Sequence, residues 1–582
     1  MQTSTPLLFL LSLLLIVSAT LPATVAAQID RPNEHFVTRS EVIAANGMVA
    51  TSQPLASQVG LDVLRRGGNA MDAAIAANAA VGLMEPTGNG IGGDLFAIIW
   101  DADSETLYGL NASGRSPQGL SYEQLLEELE AKDADSIPGY DLLSISVPGA
   151  VDGWVEIHER FGTLSMQEIL EEPIRYAEEG FPVSEQIAQS WQRSVPFILD
   201  QIGDIGAFEA TFTIDGRGPE TGELFRNPDL GSTYRLIAEH GRGAFYEGEI
   251  ADAIDAFMRE HGGYLRKADF ENHTSEWVDP VSVDYRGYEV HQIGGNNQGM
   301  AVLQMLQILE GFDLASKGFN SEETLHLMIE AKKLTYEDRA KHYADPDFYD
   351  IPVEQLLSDA YAAERRELIG ERASNRATTG VEVMEDGDTI YLTTADADGN
   401  IVSLIQSNFR GMGTGFVVPG TGFSFQNRGE LFSLDPDHPN VYEPGKRPFH
   451  TIIPGFVTRD GEPYFSFGNM GGAYQPIGHL SILTNIIDFG MNTQEAGDAL
   501  RWNHSNSTQP TDDADAELTN GGQVSFESAI PYEVVLGLRQ RGHNVRIGGG
   551  FYGRYQGIRY DAEQGVYYGA SESRVDGQAA GY

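Results

Sequence analysis

The 582-residue chain has no cysteine, only seven lysines beside 31 arginines, and no apolar run long enough to cross a bilayer. Without cysteine there are no disulfides, no thiol nucleophile, no cysteine-zinc site and no iron–sulfur ligation. No His-Glu-x-x-His occurs and the 13 histidines are scattered, so they read as structural, and neither a metal nor a cofactor is expected. Basic charge is scarce: 38 Lys+Arg stand against 85 Asp+Glu, a net charge of −47. Such a surface repels nucleic acid phosphates and anionic lipid headgroups, which excludes both as partners. The carboxylates are spread along the chain, which favours hydration in a salty medium over the alternative of an acidic binding tail. What is present is ample core material, 41% apolar residues, so disorder by composition is excluded.

Residues Leu7–Val17 have the length of a signal-peptide core rather than of a membrane span, and Val25-Ala26-Ala27 suits cleavage before Gln28. No Lys or Arg precedes Arg31, and an uncleaved anchor is the alternative. The expectation is a leader over 1–27 and an exported protein, periplasmic or secreted. Helical patterns run over Leu55–Arg66 and Asn69–Met84, broken by Gly67-Gly68, and the second is apolar all round and therefore buried. A glycine loop, Thr87–Gly93, then leads into an apolar strand, Asp94–Trp100. Its Gly88-x-Gly90-x-x-Gly93 matches the dinucleotide fingerprint in letters only. Here the helix precedes and the strand follows, the reverse of what places a pyrophosphate on a helix N-terminus, so the loop predicts close helix–strand packing instead. Further helical patterns cover Tyr122–Ala131, Ala150–Phe161, Met166–Glu179, Glu185–Gln192, Met300–Leu309, Glu322–His342 and Gln475–Asp488. Val281–Val290 reads as a strand. Gly387–Asn400 reads as a hairpin that turns at Asp398-Gly399-Asn400 and returns along Ile401–Gln406.

Gly67-Gly68-Asn69-Ala70-Met71-Asp72-Ala73-Ala74, the glycine loop, Val147-Pro148-Gly149, Glu330–Asp347, the Thr389 hairpin and Gly569–Tyr582 together resemble the γ-glutamyltranspeptidase family, in family order over residues 42–582. The resemblance implies an α+β fold, the four-layer αββα sandwich of N-terminal-nucleophile hydrolases. It implies a precursor that cuts itself between Asp388 and Thr389 into a large subunit, 28–388, and a small one, 389–582. Thr389 is then the nucleophile, and its freed α-amino group, with a pKa near 8, is the base. Ser407 matches a supporting hydroxyl. Gly471 and Gly472 match the pair whose peptide N–H groups form the oxyanion hole.

The acyl pocket departs from the family pattern. Its two serines become His450 and Thr451, its Asn becomes Phe409, its Gln becomes Arg428, and the Asp that pairs the glutamate amine becomes Leu431. Arg115, in Asn111–Pro117, is the candidate for the carboxylate-binding Arg although it sits two places later than the family spacing. The changes remove a partner for an ammonium and add cations; Arg428, Arg115 and His450 suit a carboxylate-bearing acyl group. The connection from Leu431 to His450 is short, which implies a variant without the lid, similar to the cephalosporin acylases. The resemblance thus implies a hydrolase or transferase for γ-glutamyl compounds of the glutathione type. The alternatives are an acylase for glutaryl- or cephalosporin-type amides and, more remotely, a binding protein unable to process itself. Partners would be a small carboxylated amide and water or an amine acceptor.

Overall fold

The computed structural model describes residues 38–203, 205–375, 387–507, 509–511 and 521–582. The leader expected over 1–27 lies outside the described residues. Two seven-stranded sheets, antiparallel at every pairing, stack face to face. The first has the order Gln578–Gly581, Met48–Thr51, Gly387–Ala395, Ile401–Arg410, Asp94–Asp101, Thr106–Ala112, Glu276–Val278. The second has the order Val42–Ala44, Val566–Ser571, Tyr555–Asp561, Glu462–Asn469, Gly455–Arg459, Tyr288–Gln292, Val281–Tyr285.

Period-two alternation sorts the strands' side chains between layers. Phe96, Ile98 and Trp100 join Tyr391, Ile405, Phe456 and Ile558 in the core between the sheets. Leu95, Ala97 and Ile99, pointing the other way, pack with Ile390 and Leu392 beneath the helices Pro54–Arg65 and Ala70–Met84. On the far face, Val290, Val457, Phe465 and Phe467 pack beneath Gly299–Glu310, Glu322–His342 and Gln475–Ile487. The result is the αββα sandwich. Among the described residues no helix is long and apolar enough to cross a membrane.

The local expectations hold with three differences. Val281–Val290 is two strands, because Arg286 and Gly287 adopt φ of 59° and 80° and turn the chain between Tyr285 and Tyr288. The helix from Glu185 continues to Ile202 despite Pro196 inside it. The glycine loop is packed closely between helix and strand, as expected, but the strand is the Thr389 hairpin's return strand rather than the one that follows the loop. Gly90 lies against Gly82 of the helix Ala70–Met84 and accepts from Gln406 (2.7 Å). A Cβ at Gly93 would stand 2.4 Å from the Ser407 carbonyl oxygen, and one at Gly92 2.0 Å from that of Ser424.

Candidate active site

Thr389 lies on the central strand Gly387–Ala395, and the register with its partner strand shifts between Asp388 and Ile390. Here Thr389 alone faces both Ser407 and Asn408, so the extra residue is on the partner strand and Thr389 is left without a register partner. Ser407 lies beside it. Its hydroxyl donates to the Asp388 carbonyl (2.7 Å) and accepts from the Thr389 hydroxyl (3.3 Å) and from the Phe409 N–H (2.8 Å). One oxygen therefore touches both the Asp388 carbonyl and the Thr389 hydroxyl beside it. The third contact holds Phe409 at φ 77°, a conformation costly for a bulky residue. Thr389 is 1% exposed in this unbroken chain.

Gly471 and Gly472 follow the strand Glu462–Asn469 and open a turn into the helix Gln475–Ile487. Their φ values of 121° and 54° belong to the region where glycine is favoured, and a Cβ on Gly471 would meet the Phe551 ring at 2.2 Å. Among the described residues neither peptide N–H donates to a protein acceptor. The strand that carries Thr389 packs against this turn. Gln298 fixes the turn relative to the pocket: its amide donates to the carbonyls of Thr451 (2.6 Å) and Gly472 (2.8 Å), while its oxygen accepts from Arg339 (2.7 Å).

The wall between holds a fully buried guanidinium. Arg428 donates through Nη1 to the Thr451 hydroxyl (2.8 Å) and lies 4.6 Å from the Phe409 ring centre. Its Nε and Nη2 have no partner among the described residues. Burial pulls its pKa down to about 9 against the opposing pull of Asp94 and Glu430. His450 stands with Nε2 2.9 Å from Asp94 Oδ2. Burial, then the Arg428 charge, lowers its pKa to about 4, so it is a neutral imidazole at pH 7 rather than a further cation. Leu431 is fully buried in an apolar cluster with Phe409, Phe449, Met300 and Ala301.

The structure spends Arg115 elsewhere. Its guanidinium pairs with Asp347 (2.8 Å), Glu276 (3.0 Å) and Asp345 (3.4 Å), in a network shared with the buried Arg447. Sequence reasoning missed Asp94 and Gln298. Asp94 pairs in register with Ser407 and accepts from the N–H groups of Gly114 and Gly149 (3.0 Å each), tying the glycine loop to the pocket. The run Asn296-Asn297-Gln298 between glycines was the available signal for Gln298.

One cluster has the donor set for a cation. His326, Glu330 and His543 bring their ligating atoms within 4.8 Å of one another. Scattered in sequence, they meet because His326 and Glu330 are one turn apart on the helix Glu322–His342. They already have partners: His326 Nδ1 lies 2.8 Å from His543 Nε2 and its Nε2 2.8 Å from the Gly370 carbonyl, while Glu330 accepts from Lys333 (2.8 Å) and from the Ser374 N–H (3.1 Å). A cation there would meet the Lys333 charge.

Residues 56–582 match the model of the family described as gamma-glutamyltranspeptidase. The chain is 36% identical over 545 residues to the glutathione hydrolase-like YwrD proenzyme of Bacillus subtilis (strain 168), covering 93% of this chain and 99% of that one. It is 34% identical over 553 residues to the acylase ACY 1 proenzyme of Pseudomonas sp. (strain SE83), covering 92% and 93%. The crystal structure of a cephalosporin acylase from Bacillus halodurans superposes with a TM-score of 0.85 at 44% identity, covering 94% of this chain and 97% of that one.

Proposed function

This chain belongs to the gamma-glutamyltranspeptidase family, and on that premise we propose that it is an exported, self-processing amidohydrolase acting through an acyl-Thr389 intermediate on carboxylated acyl amides, γ-glutamyl and glutaryl-type alike. In self-scission the Thr389 hydroxyl oxygen adds to the Asp388 carbonyl carbon. The C–N bond breaks, nitrogen takes the proton and becomes the α-amine, and water hydrolyses the ester to release the Asp388 carboxylate. Ser407 supports this step by donating to the carbonyl oxygen that gains charge. The products are subunits 28–388 and 389–582 after loss of residues 1–27. In turnover the α-amine is the base, and the free N–H groups of Gly471 and Gly472 receive the substrate oxyanion.

The single observation that carries the specificity reading is Arg428. A buried guanidinium with two unspent donor nitrogens, beside the Thr451 hydroxyl, fits the acyl carboxylate. With Leu431 in place of an anion, the carboxylates nearby are Asp94 and Glu430, the one against His450 and the other paired with Arg410, and the Arg428 charge opposes an ammonium. A pocket built to pair the amine rejects an analogue lacking it by about 10⁴-fold or more. Here kcat/KM for γ-glutamyl and glutaryl anilides is expected to agree within about tenfold. A thousandfold preference for the γ-glutamyl donor would show that another group has rebuilt the amine site.

Processing separates this reading from that of a binding protein unable to cleave itself. The smaller band of the purified protein should begin Thr-Ile-Tyr-Leu, and Thr389→Ala should stay one chain and be inactive. Any other N-terminus, or one band in active wild type, overturns the mechanism.

A further inference from the structure

The scissile peptide bond sits between two walls that come from opposite ends of the chain, and one ion pair joins them. Glu85 ends the helix Ala70–Met84; its side chain is 2% exposed. Its carboxylate accepts from the Ser52 hydroxyl (2.5 Å) and from Arg554 Nη1 (3.0 Å). Its backbone carbonyl accepts from the Gly88 N–H (3.1 Å) and the Asn89 amide (2.9 Å), so the same residue closes the turn that presents Gly88 to Thr389. A Cβ on Gly88 would stand 3.4 Å from the Thr389 N, C and O atoms, and the Gly88 carbonyl accepts from the Asn408 N–H (3.3 Å). Glu85 therefore anchors the wall behind the nucleophile.

Arg554 anchors the other wall. Its carbonyl accepts from the N–H of Met470 (2.9 Å), the residue before Gly471. Next to it, Gly553 at φ 71° packs so close to Asn469 that a Cβ would stand 1.8 Å from Oδ1, and the Phe551 ring covers Gly471. The Glu85–Arg554 pair thus spans from the glycine loop under Thr389 to the turn of Gly471-Gly472, with one member on each side of the scissile bond in sequence. Burial works against the Arg554 charge, yet its pKa is held above the ordinary value by carboxylates. Asp388 is foremost among them, ahead of Glu85, Glu572 and Asp576. Arg554 is therefore seated on Glu85 by contact and feels the Asp388 charge through space.

We propose that Arg554, seated by Glu85, is a positioning residue for self-scission, offsetting the Asp388 carboxylate beside the scissile carbonyl and setting the spacing between the glycine loop and the Gly471-Gly472 turn. The proposal rests on the reading that the chain cleaves itself before Thr389. When the Thr389 oxygen adds to the carbonyl carbon, negative charge develops on the Asp388 carbonyl oxygen, a few bonds from that residue's own carboxylate. Like charges this close oppose each other, and a cation within electrostatic reach of the carboxylate lessens the opposition. Arg554 touches neither bond that changes; it acts through Asp388 and through the walls.

The test follows scission of newly made full-length precursor in cell-free synthesis, by the appearance of the small subunit after translation is stopped. Arg554→Gln should slow scission about ten- to a hundredfold, the cost typical of a misplaced reacting group, and Arg554→Lys should recover part of it. In an Asp388→Asn background, where no carboxylate remains to offset, the slowing caused by Arg554→Gln should shrink at least about threefold, and what remains reads the spacing of the two walls. Thermal melts of the variants combined with Thr389→Ala show whether each precursor folds. Equal rates for wild type and Arg554→Gln would overturn the proposal. So would the same slowing in the Asp388→Asn background as in the wild-type one, which would mark Arg554 as purely structural. A wild-type precursor that never cleaves overturns the self-processing reading itself, and this proposal with it.

Discussion

At the scale of residues, a few side chains carry unusual electrostatic loads, and their titration is testable. His450 is buried against Asp94 and Arg428, with its pKa lowered to about 4 by burial and then by the Arg428 charge. Above pH 6.5 the imidazole is neutral both folded and unfolded and contributes nothing to pH dependence. As pH falls below 6.5, the unfolded chain takes up a proton that the folded site refuses, so stability is lost until pH reaches about 4. The full loss is about 3 kcal/mol. His450→Gln removes that group, so its melting temperature should fall less than that of the wild type between pH 7 and pH 4.5. Equal falls in parallel calorimetric scans would mean that the histidine is protonated in the folded protein. Thr389, Ser407, Gly471 and Gly472 stand out in the sequence as candidates because they lie in stretches with a strong family pattern. Asp94 and Gln298 do not, because their importance comes from partners far away in the chain: Gly114, Gly149 and His450 for one, Thr451, Arg339 and Gly472 for the other.

At the scale of elements, the glycine loop and the bulged hairpin make one unit. The loop Thr87–Gly93 has glycine at 88, 90, 92 and 93, where it comes close to the Thr389 hairpin and its neighbours, and each glycine tolerates a different amount of added volume. At Gly93 a Cβ would meet the Ser407 carbonyl oxygen and Asn408 Oδ1 at 2.4 Å each, and the former is backbone that cannot swing aside. Gly93→Ala should therefore destabilise the fold by about 1–3 kcal/mol or more and displace Ser407, abolishing scission. At Gly88 the corresponding approach is 3.4 Å, an ordinary contact, so Gly88→Ala should fold with a melting temperature near that of the wild type. Melts of the two variants, with gel analysis of their processing, check the contrast; a stable, processed Gly93→Ala would show that the hairpin can retreat from the loop. The hairpin itself was readable from alternation and from Asp398-Gly399-Asn400, whereas the bulge at Thr389 was not. A bulge is a mismatch between two strands, and one strand's sequence carries no trace of the count on the other.

At the scale of the whole molecule, the dominant quantity is the net charge of −47. Much of the basic charge is committed locally: Arg115, Arg410, Arg447, Arg501, Arg554 and Arg574 are all paired with carboxylates. The remaining carboxylates repel one another through water, and that repulsion weakens as the screening length falls from about 10 Å at 0.1 M salt to about 3 Å at 1 M. Stability should therefore rise with NaCl towards molar concentrations. Thermal melts across that range decide it, and a flat or falling midpoint would mean that the acidity serves another purpose.

By itself the sequence determined the elements and the family. Alternation and helical periodicity depend only on neighbours within one strand or helix, so the helices, the hairpin and the buried Ala70–Met84 helix could be read locally, and the residue types around Thr389 could be matched motif by motif. The charge balance is likewise a sum over residues and needs no fold. Only the tertiary structure decided what each charged group does. Arg115 and Arg428 look alike as candidates for a carboxylate, but one meets three acidic side chains brought from elsewhere in the chain, while the other is buried with two donor nitrogens unspent. His450 looks like a cation in sequence and is neutral in place, because burial penalises its charged form. The reason is common to all three: desolvation and partnership are properties of position in three dimensions, set by contacts between residues tens to hundreds of places apart.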